Sequence, residues 1–181
     1  MAIAADGNPI ALNDVLGIPD ILDASRFLML FGQVPGGGSD TRHLSIKAFN
    51  VTMPGVNSEA FEAVMGGRSV NFRGRRVYNN PVSLSFYEDS RMQTLTTLRT
   101  WMEYVVGTQS GNSVGYVDDY SVDASLIIFD TTGARVAQHT IYRVYPVDIG
   151  EVSLSSESST SLQITAQFRF TYFLADTHPE L

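Results

Sequence analysis

Cysteine is missing from this 181-residue chain, which removes disulfides, thiolate metal sites and a cysteine nucleophile at once. Charge is scarce as well, at 17% of residues, and the net charge is −7. An acidic chain is a poor general binder of nucleic acid, because phosphate affinity needs Lys and Arg. The opening MAIAADGNPIALNDVL has no basic start and no long apolar run, so neither a signal peptide nor a membrane anchor is expected, and a cytosolic product is the default. The three histidines, His43, His139 and His178, lack metal-ligand spacing. The glycines of Pro35–Asp40 are not followed by Gly-Lys-Ser/Thr, so this is no phosphate loop, and no Gly-x-Ser-x-Gly elbow exists. Asp118 and Asp119 are adjacent; on an extended segment they point to opposite faces, so a charged strand start is expected rather than a cation site. No catalytic residue, cofactor or metal site is therefore expected, and the chain does not read as an enzyme.

An apolar fraction of 44% is enough for a globular core in one domain. Residues 1–24, rich in Gly, Pro and Asp, read as an arm, 25–176 as the domain and 177–181 as a tail. Arg26–Val34 reads as a strand by its continuous apolar run. A second strand is expected over His43–Met53, with a phase slip between Ile46 and Phe49 that suggests a bulge. SEAFEAVM (Ser58–Met65) suggests a short helical turn ended by Gly66-Gly67, and Arg68–Val77 a strand-like return. That return carries Arg68, Arg73, Arg75 and Arg76, four of the twelve basic residues. They form a solvated rim, a nucleic-acid patch or a contact with an acidic surface on another copy; the acidity of the chain favours the last.

Pro81–Tyr87 is a strand with Leu84 and Phe86 inward. The period then changes to 3.6: Met92, Leu95, Leu98, Met102 and Val105 fall on one stripe with Trp101 beside it. A Ser90/Gln93 capping box and Asp89 mark the start, and Gly107 the stop, of a helix over 90–106. Tyr120–Phe129 and Arg135–Tyr145 form a hairpin across Asp130–Gly133. In the last strand Leu162, Ile164, Ala166, Phe168, Phe170 and Tyr172 alternate with polar residues. The expected fold is mainly β: an antiparallel sandwich or barrel of about seven or eight strands, flanked by one α-helix.

One ordered set of pieces is more specific than any of these patterns. It runs from a strand–loop–strand opening ending at Met53-Pro54-Gly55, through a long hairpin loop and a Val82–Tyr87 strand, to a helix with Arg99-Thr-Trp101 and Val105-Val106-Gly107. A Tyr120–Tyr145 hairpin, Tyr145-Pro-Val-Asp-Ile-Gly-Glu-Val152 and Phe168-x-Phe-x-Tyr-Phe173 complete it. Over residues 26–173 this set resembles the tail tube proteins of contractile-tailed phages, a family that shares its architecture with type VI secretion and extracellular injection tubes. The resemblance implies a virion structural protein, made in the host cytoplasm, whose homohexameric rings stack into a hollow tube that DNA traverses without specific binding. Tail sheath, baseplate or tube initiator, and tail terminator would be its partners. Pro54, Gly55, Arg68, Arg73, Arg75 and Arg76 are then candidates for contacts between subunits or rings. The polar strand faces Ser121, Asp123, Ser125 and Gln163, Thr165, Gln167 are candidates for the channel lining. A protein-injecting tube of the secretion or bacteriocin type has the same sequence features, and a monomeric ligand-binding β-barrel is the reading from another class.

Overall fold

The computed structural model describes residues 22–36, 41–107, 115–152, 154 and 161–176; the proposed tail and nearly all of the proposed arm lie outside them. Among these residues there are nine strands and three helices. The strands are β1 (Phe27–Phe31), β2 (Ala48–Val51), β3 (Val56–Met65), β4 (Arg68–Tyr78), β5 (Val82–Tyr87), β6 (Val122–Phe129), β7 (Arg135–Ile149), β8 (Gln163–Arg169) and β9 (Tyr172–Asp176). The helices are α1 (Arg42–Lys47), α2 (Gln93–Val106) and α3 (Val117–Tyr120). The mainly β, antiparallel sandwich with a flanking helix is borne out. The seven-stranded sheet, in the order β1-β6-β7-β8-β5-β2 with β9 also on β7, does not close into a barrel.

The sandwich is built on one long bent pair. The first half of β7 pairs with β6 on one edge and β9 on the other; its second half pairs with β8. The bend falls at Arg143, whose φ of 56° is left-handed, and opposite it the chain leaves strand geometry at Phe170-Thr171. Both strands change phase there. His139 and Ile141 are buried before the bend, Val144 after it. Ile164, Ala166, Phe168 and Phe170 are buried, but Tyr172 turns outward at 38% exposure, so the alternation expected through Tyr172 stops at Phe170. The bend folds a β1-β6-β7-β9 layer over a β7-β8-β5-β2 layer, and the inward side chains of both form one core.

Helix α2 completes that core. Thr94, Leu95, Thr97, Leu98 and Trp101 are its buried face; Met92 is outside it. Trp101 is fully buried, meets Phe31 edge-on at 6.1 Å and Phe168 at 5.7 Å, and donates its indole N–H to the Tyr120 carbonyl at 2.7 Å. The C-terminal stop is as expected, with Gly107 at φ 64° donating to Glu103 O. The start is not a Ser90/Gln93 box. The buried Glu88 carboxylate accepts from the backbone N–H groups of Asp89, Thr94 and Leu95, while Asp89 accepts from Arg91 and Gln93. A longer acidic side chain from the residue just past β5 reaches the free helix donors and outcompetes serine.

Three further expectations are overturned. The strand placed over His43–Met53 begins as α1, so the phase slip is a change from helix to strand, and His43 is helical. Leu44 is fully buried whereas Ile46 is 77% exposed, which a helical turn allows and a shared strand face does not. Ser58–Met65 is not a helical turn but most of β3. Gly66 and Gly67, at φ 58° and 77°, form a two-residue hairpin turn that pairs it with β4. Asp118 and Asp119 likewise sit on the one-turn helix α3, where Asp119 accepts from the Tyr116 N–H.

Candidate assembly surfaces

The hairpin of β3 and β4 forms a two-stranded sheet of its own. At about 3.3 Å per residue its eleven-residue strand reaches roughly 35 Å. One face carries Phe61, Ala63, Met65, Val70 and Phe72; the Phe61 and Phe72 rings stack at 5.5 Å, yet 57% and 37% of them remain exposed. A lone two-stranded ribbon is marginal in water, so an apolar face of this kind calls for a partner. The sequence did carry a signal for it, the period-two Phe61, Ala63, Met65 before a Gly-Gly turn.

The root of the ribbon is fixed. Pro54 is buried, and Gly55 packs so closely that a Cβ would lie 2.8 Å from the Asn79 amide nitrogen. The Asn80 side chain brackets Phe170, donating to its carbonyl and accepting from its N–H. Tyr78 packs on Phe170 and Phe173 at 6.0 and 5.4 Å. Midway, Gly74 sits in a bulge where a Cβ would come within 2.6 Å of the Glu59 carbonyl.

The four arginines do not form one patch. Arg68 is at the turn. Arg75 makes a two-pronged ion pair with Glu59 at 2.7 and 3.2 Å, which holds the Glu59 carboxyl below the usual range and raises the guanidinium. Arg73 and Arg76 line one shallow hollow with Val56, Asn57, Ser58 and Gly74. Among the described residues no carboxylate pairs with Arg68, Arg73 or Arg76. Pro54 and Gly55 thus support the ribbon from its root, while Arg68, Arg73 and Arg76 are its available cations.

The polar strand faces fall on two different layers. Ser121, Asp123 and Ser125 lie before or on β6. Asp123 accepts the N–H of Arg143 at the bend, and the Arg143 guanidinium pairs with Asp118 at 2.9 Å. Gln163, Thr165 and Gln167 point outward from β8, and the Thr165 hydroxyl meets that of Ser85 at 3.1 Å. No group of three or more metal-ligating side chains occurs among the described residues, and none of their helices is long and apolar enough to cross a membrane.

Known proteins share this arrangement. A chain of the sheath/tube terminator structure of an extracellular contractile injection system superposes with a TM-score of 0.66 at 12% identity, covering 88% of this chain and 99% of that one. A chain of the extended sheath–tube complex of such a system gives 0.63 at 11% identity, over 94% and 100%. A tail tube protein of Serratia phage KSP90 is 20% identical over 152 residues, 83% of this chain and 85% of the relative. The family model described as phage tail tube protein matches residues 21–176, and with that span the chain belongs to the phage tail tube protein family, whose members are structural and not enzymes.

Proposed function

We propose that this chain is the repeating unit of a tail tube: six copies close into a ring, rings stack, and the channel passes DNA from capsid to host. The observation that carries the reading is the β3–β4 ribbon, a built, rigidly rooted arm whose apolar face has no cover among the described residues. A heterologous contact made by such an arm generates rings where rotation closes and stacks where it does not. The ribbon is then the contact between rings, with Arg68, Arg73 and Arg76 meeting acidic surface on a neighbouring copy of this −7 chain. Sheath, baseplate and terminator are the further partners, in keeping with the sheath–tube and terminator complexes that hold similar folds. The same likeness favours a second reading, a tube that injects protein. A ligand-binding barrel has less support, because Trp101, Phe86 and Phe168 fill the interior.

Negative-stain electron microscopy of the purified protein at low and high concentration tests the proposal. Rings or hollow tubes of uniform width are expected. Dispersed particles of about 20 kDa at every concentration, with baseplate partners present, refute it.

A further inference from the structure

Only one of the two polar strand faces is suited to a channel through which a polyanion slides. We infer that the outward face of the β5–β8 layer is the channel wall, and that the outward face of the β1–β6–β7–β9 layer is turned away from it. The inference rests on the tube reading above and adds to it which side of the sandwich looks inward.

The β5–β8 face is a row of hydroxyls and amides that ends in one aromatic pair, Tyr87 opposite Gln163 and stacked on Phe49 at 4.1 Å. Ser83 faces Gln167, Ser85 faces Thr165, and Gln163 continues the row. Arg169 at the bend end of β8 and Asp148 on the adjoining stretch of β7 cancel, so these outward residues carry no net charge. A duplex phosphate finds no surplus cation to hold it and no surplus carboxylate to repel it. One of the Ser85 and Thr165 hydroxyls also donates to the other, which leaves the wall one free donor fewer for a passing phosphate.

The other layer has a different outward face. Leu30 is 40% and Leu174 56% exposed, Ile127 points the same way, and Tyr142 stacks on Tyr172 at 4.6 Å. Apolar surface of this extent is costly beside channel water and is usual where protein covers protein. Ser121, Asp123 and Ser125 belong to this layer, so they lie away from the channel even though they are as polar as the β8 row. The two layers bury their inner faces in one core, so their outer faces cannot both look onto the same channel.

The absence of cysteine makes the test direct, because one introduced thiol is the only thiol. Tubes of Thr165→Cys and, separately, Ser125→Cys are treated with a maleimide gold cluster after assembly and imaged by cryo-electron microscopy. Gold on Thr165→Cys is expected at the channel radius and gold on Ser125→Cys at a larger radius, in the outer half of the wall. Should Thr165→Cys fail to assemble, Gln163→Cys, exposed on the same face, reports the same radius. Gold from the β8 positions at or beyond the middle of the wall overturns the inference and leaves the tube reading standing. If the wild-type chain forms neither ring nor tube, the tube reading falls and the wall assignment falls with it.

Discussion

Replacing both Phe61 and Phe72 with serine separates assembly from folding. The two rings leave 57% and 37% of their surface to solvent, together close to one whole phenylalanine, or roughly 200 Å². At about 25 cal/mol per Å² a partner covering all of it gains about 5 kcal/mol per ribbon. Even coverage below half leaves about 2 kcal/mol, a factor of roughly 30 in the association constant. Within the monomer the change is small, since the ribbon is a separate sheet and the stacked pair is worth about 1 kcal/mol. Sedimentation velocity across a concentration series reads the onset of polymerisation, and circular dichroism reads Tm. The expected result is a large rise in the onset concentration with Tm lower by only a few degrees. Polymerisation at the wild-type onset with Tm unchanged refutes the argument, because the face would then have no partner. A steep fall in Tm with loss of assembly shows instead that the stack supports the fold.

Glu88→Ala strips the acceptor from two backbone N–H groups in the first turn of α2 and from the Asp89 N–H before it; a loss of about 2–3 kcal/mol is expected by urea denaturation, and Glu88→Gln, which keeps one acceptor oxygen, loses less. Asn80→Ala leaves the N–H and carbonyl of Phe170 without their bracket; a loss of about 1–3 kcal/mol is expected, with faster amide exchange at Phe170 as the local readout. Burial lowers the pKa of His139, so the unfolded chain takes up its proton at a higher pH than the folded one. Stability at this residue is therefore full above about pH 6.5 and falls as pH drops below that value, and His139→Leu is expected to flatten the difference in urea midpoint between about pH 7 and about pH 5.5.

Where one physical signal dominated, the sequence was readable. Core strands β5, β6 and β8 show unbroken period-two patterning, and α2 shows a 3.6 period ended by a glycine. The failures lie where a distant partner decides. SEAFEAVM has good helix formers, but the Gly66-Gly67 turn and a return strand of matching length make it β3. Leu44 and Ile46 alternate as in a strand, yet only Leu44 has a core to enter. Glu88 could not be picked as the helix cap, because its reach across the end of β5 depends on the fold. The two polar faces looked equivalent for the same reason: period two says that a residue points outward, not from which layer.

The root of the ribbon has a mechanical meaning. Tyr78, the last residue of β4, packs on Phe170 and Phe173, and Asn80 grips Phe170, at the gap between β8 and β9 where both layers turn. A load applied at the Gly66-Gly67 tip passes down an arm of roughly 35 Å to this one fulcrum. In the stacked tube proposed above, strain from one subunit would enter the next at the crease shared by both of its sheets, and the stack would bend and twist as a single elastic rod.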